Sequence, residues 1–161
     1  MIYKAKKGKI IFGDAIGILL LDDYTVHPPG DVANASSYPF PVRYKVVKNL
    51  TVKKILSKDF SMLKNFIKAA ECLEKEGIKA ITGDCGYMLL YQEELQKRIE
   101  TPVFLSSLLQ LPFLISILGV NKKICVICAD SSLLDENLLK KIPITDVSKL
   151  KIVGLQEQKS F

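Results

Sequence analysis

Ile78-Lys79-Ala80-Ile81-Thr82-Gly83-Asp84-Cys85-Gly86-Tyr87-Met88-Leu89 decides the fold. A short apolar run ends in a cysteine held between glycines, and an amphipathic stretch begins at once. That order is strand, tight loop, helix. It sets the Cys85 sulfur beyond the carboxyl end of a strand and at a helix start. Unpaired backbone N–H groups and the helix dipole favour an anion there, so a thiolate is easier to form. Open α/β sheets take their ligands at the same edge.

Working outward, Ile16 to Leu21 is a continuous apolar run that stops at Asp22-Asp23, as a buried parallel strand does. Residues 24–41 follow with most of the prolines and with Gly30, Asn34, Ser36 and Ser37. This long stretch has neither period and reads as a loop of the functional kind. Val42 to Val47 predicts a second strand and Thr51 to Leu56 a short helix. Asp59 caps a clearer helix, with Phe60, Leu63, Ile67, Ala70 and Leu73 on one face and Gly77 at its end. Beyond Cys85 the spacing predicts a helix over 87–99, broken at Thr101-Pro102. A short strand at 102–105 leads to Ser106 and Ser107, which cap a helix reaching Gly119 that Pro112 disturbs. Lys123 to Cys128 is a further strand. A helix capped near Asp130 runs to Lys141, with a Ser132/Asp135 capping box. Leu150 to Leu155 is the last strand. The alternation predicts an α/β fold with a doubly wound, mostly parallel sheet.

Composition bounds the function. With 161 residues and 48% hydrophobic content, the chain has enough apolar mass for a core. The net charge of +6 comes from scattered lysines, with one cluster at Lys4, Lys6, Lys7 and Lys9, and the only arginines are Arg43 and Arg98. Nucleic-acid recognition calls for a concentrated basic face, so a solvated lysine-rich surface is the better reading. The most apolar stretch, residues 103–120, contains Gln110, Pro112 and serines, which argues against a membrane span. No signal-type segment opens the chain. These features point to the cytoplasm, where the four cysteines stay reduced.

Three ordered segments carry a family resemblance: Pro28-Pro29-Gly30-Asp31-Val32-Ala33-Asn34, Tyr38-Pro39-Phe40-Pro41-Val42-Arg43-Tyr44 and Gly77 to Gly86. Gln92-Glu93-Glu94-Leu95 and residues 102–110 continue it. The chain resembles the aspartate/glutamate racemase superfamily, in particular its hydantoin racemase-like members. The resemblance implies two similar flavodoxin-like lobes, no cofactor such as pyridoxal phosphate, and one cysteine per lobe facing the substrate α-carbon. It implies a first lobe over 1–119 with the Cys85 loop, and an incomplete second lobe over 120–161. The second catalytic cysteine is missing, since no cysteine follows Cys128. The implied function is a cofactor-independent racemase or isomerase acting on a small carboxylate or amino-acid-like substrate by thiol acid/base chemistry at Cys85. The alternatives are an inactive small-molecule-binding remnant, or single-thiol lyase chemistry such as decarboxylation, which needs one proton donor rather than two. Homo-oligomers are also expected, because an unfinished parallel lobe leaves strand edges uncovered.

The candidate site residues each have a plainer reading. Cys85 is an acid/base, or a small residue buried at a tight turn. Asp84 is a proton partner that raises its neighbour's pKa, or a helix cap. Asn34 is a substrate contact from the long loop. Gly86 supplies backbone at the turn, and Ser106 and Ser107 are helix caps that can also bind a carboxylate. His27, the single histidine, could contact a ligand or be an ordinary loop residue. It excludes a multi-histidine metal site. Cys125 and Cys128 lie three apart in an apolar strand, so they face opposite sides and read as buried packing rather than a metal or redox pair.

Overall fold

Residues 12–158 are described by a computed structural model; the Lys4, Lys6, Lys7 and Lys9 cluster lies outside them. The fold is α/β, and every strand pairing among the described residues is parallel. The chain divides after Ser106 into two compact units.

In the first unit, β1 (Ile16–Leu20), β2 (Val42–Val46), β3 (Ala80–Gly83) and β4 (Val103–Phe104) form one sheet in the order β2-β1-β3-β4. β1 occupies an interior position, which is why its sequence is a continuous apolar run: Ile18 and Leu19 are fully buried. Gly17 lets α2 (Leu63–Lys75) lie close to β1, since a Cβ there would stand 2.9 Å from Leu73 Cδ1. α1 (Val52–Leu56) starts at Thr51, whose side chain accepts from Lys54 N. α3 (Gln92–Gln96) completes the unit.

Two helices of this unit differ from expectation. Asp59 caps a 3-10 turn over Phe60–Met62, and α2 begins only at Leu63. Its buried residues are Phe66, Ala69, Ala70 and Leu73; Phe60 is exposed. The predicted 87–99 helix is instead a 3-10 helix over Gly86–Tyr91 followed by the short α3. Met88, Leu89, Leu90 and Tyr91 are all buried in succession. Tyr91 stacks on Phe66 with ring centroids 4.6 Å apart, and its hydroxyl donates to Asp59 O at 2.6 Å. This buried tyrosine satisfies its polar end while its ring fills the core.

β4 is an edge strand, and its outward backbone groups are satisfied by a side chain. Gln92 Nε2 donates to Val103 O at 2.8 Å, and Leu105 N donates to Gln92 Oε1 at 3.0 Å. The primary amide stands where a neighbouring strand's peptide would.

The second unit holds α4 (Leu111–Ile117), β5 (Ile124–Cys128), α5 (Glu136–Leu139) and β6 (Leu150–Gly154). Pro112 sits in the first turn of α4, where its missing N–H costs nothing. β5 and β6 pair as a two-stranded sheet. The Ser132/Asp135 capping box does not form. Asp130 caps a 3-10 turn over Ser131–Leu133, while Asp135 caps α5 by accepting from Leu138 N at 2.9 Å. The buried packing expected for Cys125 is also corrected: Cys125 is exposed and Cys128 partly buried, because the Cys125/Ile127 face of β5 is open. No helix among the described residues is long and apolar enough to cross a membrane.

Candidate functional site

Cys85 immediately follows the carboxyl end of β3, an interior strand, with extended backbone at φ −122° and ψ 124°. It is the residue from which the Gly86–Tyr91 3-10 helix starts, and Met88 N donates to its carbonyl at 2.9 Å. Gly83 makes the turn possible: a Cβ there would stand 2.5 Å from Met88 Sδ and 3.3 Å from Leu105 O. Gly86 is exposed and has no such constraint.

The sulfur is a thiol rather than a thiolate. Burial pushes the Cys85 pKa up to about 11, and the Asp84 charge adds to the rise. Backbone N–H groups of Tyr87 and Met88 act the other way, as expected at a helix start, but burial wins. The eased ionisation expected from sequence is therefore corrected.

Asp84 continues the sheet by other means. Its N–H donates to Leu19 O at 3.0 Å, and its Oδ2 accepts from Leu21 N at 3.0 Å, just where the β1–β3 ladder ends. Oδ1 is buried without a hydrogen-bond partner among the described residues. Burial raises the Asp84 carboxyl to about 6, against the lowering effects of the Leu21 amide and the His27 charge; Asp31 raises it slightly.

Those last two influences come from the long loop. His27 Nδ1 lies 3.1 Å from Asp31 Oδ1, across the Pro28-Pro29-Gly30 turn. Gly30 adopts φ +99°, a conformation that suits glycine. The loop is bonded mainly to itself. Asn34 Nδ2 donates to His27 O at 2.7 Å, Ser36 N donates to Asn34 Oδ1 at 2.9 Å, and Ser37 Oγ donates to Asp31 O at 2.6 Å. Tyr38 OH donates to Val32 O at 2.9 Å. Asn34 thus spends its amide holding the loop.

Ser106 is 8% exposed, and its Oγ stands 3.6 Å from the place a Cβ on Gly86 would occupy, so β4 delivers it beside the Cys85 turn. Ser107 is exposed and opens the second unit as the first residue of a 3-10 turn. The first unit therefore brings together Asp84, Cys85, Gly86 and Ser106, with the His27–Asp31 pair acting on Asp84. The sequence reading weighed His27 as a ligand contact or an ordinary loop residue, but neither Asp31 nor its pairing with His27 was among the candidates. Its only signal was a histidine and an aspartate four apart around a Pro-Pro-Gly turn. No group of three or more metal-binding side chains occurs among the described residues.

No protein-family model matches the chain. Curated proteins do. A dimethylsulfoniopropionate lyase of Durusdinium sp. clade D is 34% identical over 155 residues, covering 91% of this chain and 51% of that protein. Dimethylsulfoniopropionate lyase 3 of Emiliania huxleyi (strain CCMP1516) is 31% identical over 164 residues, covering 95% of this chain and 42% of the relative. Dimethylsulfoniopropionate lyase 7 of the same strain is 31% identical over 156 residues, covering 91% and 45%. These relatives carry a lyase name across nearly the whole chain, which overturns the resemblance to aspartate/glutamate racemases and with it the racemase and isomerase reading. The chain spans about half the length of the curated relatives it matches.

Proposed function

We propose that the chain carries lyase chemistry on a small carboxylate with a leaving group at the β-carbon, of the dimethylsulfoniopropionate class. The observation that supports this is the 31–34% identity, over most of the chain, to proteins named for that activity.

The chemistry suits a single thiol. In dimethylsulfoniopropionate the carboxylate acidifies the α-C–H bond and the β-carbon bears a cationic sulfur. A base removes the α-proton, that bonding pair becomes the C=C bond of acrylate, and the β-C–S pair leaves with neutral dimethyl sulfide. Only one face of the α-carbon needs a base, whereas racemisation needs both. Cys85 is our choice of base. Its thiol is neutral in the free protein; a sulfonium brought beside it favours the thiolate by opposite charge, and the thiol proton passes to solvent before the α-proton is taken. Asp84 supplies countercharge for the cation. Ser106, beside Gly86, is our choice of donor to the substrate carboxylate, where charge grows as the proton leaves. Asn34 contributes by holding the loop.

The test is headspace gas chromatography of dimethyl sulfide over the purified chain incubated with dimethylsulfoniopropionate. We expect release that disappears in Cys85→Ala while the fold, read by circular dichroism, is kept. A folded chain that releases none, or a Cys85→Ala variant that releases as much as wild type, rejects the proposal.

A further inference from the structure

The lysines run the length of the sequence, but their uncompensated charge does not. Residues 44–70 hold seven lysines and one acid, Asp59, while the rest of the chain holds 16 basic and 16 acidic residues. The net charge of +6 therefore belongs to the stretch that runs from β2 through α1 into α2, all in the first unit.

The fold draws these lysines into one row. β2 and α2 lie alongside each other in opposite directions. Arg43 Nε is 3.5 Å from Glu76 Oε2, the Lys45 ammonium is hydrogen-bonded to Cys72, and Asn65 Nδ2 donates to Lys48 O at 2.9 Å. Lys64 and Lys68, one helical turn apart, flank Asn65 on α2. α1 extends the row, since Lys54 Nζ reaches Met62 Sδ at 3.5 Å and Lys53 adjoins it. Lys48, Lys53, Lys64 and Lys68 are exposed and, among the described residues, form no ion pair. Like charges four apart on a helix destabilise it, so Lys64 and Lys68 weaken α2 rather than support it. The nearby carboxylates are engaged with backbone: Asp59 accepts from Ser61 N, Asp22 from Asn49 N and Asp23 from Val52 N. With all three counted, the lysines still exceed the acids seven to three. Apolar side chains stand among the lysines, with Val52 39% exposed and Phe60 48% exposed.

We propose that this face docks on the surface of an anionic lipid bilayer. The inference does not rest on the lyase reading. Charge complementarity calls for an anionic partner, and two features favour a bilayer over a nucleic acid. The cations are lysines, hydrated point charges, and the neighbouring Arg43 is engaged by Asp14 and Glu76. Exposed Val52 and Phe60 gain nothing against a phosphodiester backbone, whereas a bilayer interface takes up lysine charge and apolar side chains together. The mode is peripheral and needs no spanning helix.

The test is co-sedimentation of the whole chain with vesicles. Phosphatidylcholine with about 30% phosphatidylserine is compared with phosphatidylcholine alone, at about 0.1 M salt. Binding to the anionic vesicles alone is expected. Combining Lys48→Gln, Lys53→Gln, Lys64→Gln and Lys68→Gln should weaken it about a hundredfold or more. A control of the same net charge combines Lys79→Gln, Lys122→Gln, Lys123→Gln and Lys151→Gln, all exposed and outside the row. It should bind much as wild type does. Phe60→Ala should cost about fivefold. Circular dichroism checks that each variant is folded. Three results overturn the inference. One is a wild-type chain that stays in solution with the anionic vesicles. Another is an equal loss in the two four-lysine variants, which would make net charge the cause rather than this face. The third is an oligonucleotide that binds more tightly than the vesicles at the same salt, which would give the face to nucleic acid.

Discussion

Gln92→Leu removes a side chain that closes the outer edge of β4. Gln92 is 3% exposed, Val103 is 6% exposed and Leu105 fully buried, so water does not replace the lost amide. The substitution leaves Val103 C=O without its 2.8 Å donor and Leu105 N–H without its 3.0 Å acceptor. An orphaned buried backbone group costs about 1–3 kcal/mol, which puts the pair at about 2–6 kcal/mol. Burying leucine in place of a polar amide returns about 1 kcal/mol. We expect a net loss of about 1–5 kcal/mol, a large share of a domain stability of about 5–15 kcal/mol. Urea unfolding followed by circular dichroism measures it, as a lower midpoint with the slope unchanged. Gln92→Glu should also destabilise, since it keeps an acceptor for Leu105 N but has lost the donor to Val103 O. A Gln92→Leu cost below about 0.5 kcal/mol would refute the reasoning, because it would mean that the edge is satisfied without the amide.

Asp84 predicts a pH dependence of known sign. Its folded carboxyl lies at about 6, above the 3.8 of an unhindered aspartate, so between those values the folded state binds more protons than the unfolded one. This group's contribution to stability therefore falls as pH rises through that window, by at most about 3 kcal/mol. Subtracting the pH–stability curve of Asp84→Asn from that of wild type should expose the slope; parallel curves would contradict it. The same variant should react faster at Cys85 with iodoacetamide at a given pH, because the neighbouring negative charge is gone. Among the cysteines, maleimide followed by peptide mass spectrometry should label the exposed Cys125 before Cys85 in native protein. Equal rates at neutral pH would contradict the burial that holds Cys85 as a thiol.

The strand at Ile16–Leu20 was legible because an interior parallel strand buried on both faces demands an unbroken apolar run; Ile124–Cys128 was legible from the same apolar run although its Cys125/Ile127 face is open. The segment after Cys85 was misread because Met88, Leu89, Leu90 and Tyr91 are buried in succession. Such a run carries no helical face, and only tertiary packing decides that it coils as a 3-10 helix. Thiol acidity was misread for a related reason. The N–H groups at a helix start can be anticipated from local order, but the desolvation that outweighs them depends on what packs over the turn. Asp84 reaches Leu21 N across 63 residues of sequence, a contact fixed by strand register alone. The choice between racemisation and elimination was not legible either. A thiol at a strand end reads identically for both, and they differ in whether the opposite face of the substrate carries a second acid. Similarity to proteins named as lyases, rather than any local motif, is what tells against racemisation.

The 27–38 loop has one more consequence. Its shape is set by bonds among its own atoms: Asn34 to His27, Ser37 to Asp31, Tyr38 to Val32 and Gly30 N to Ser37 Oγ. A segment folded by its own residues behaves as a cassette. It should survive transplantation between the corresponding strands of another parallel sheet, bringing its histidine–carboxylate pair with it. The exposed Tyr24–Val26 approach takes no part in that closure. Insertions and deletions in this stretch of chain are therefore best tolerated there, at the seam, and least tolerated between His27 and Tyr38.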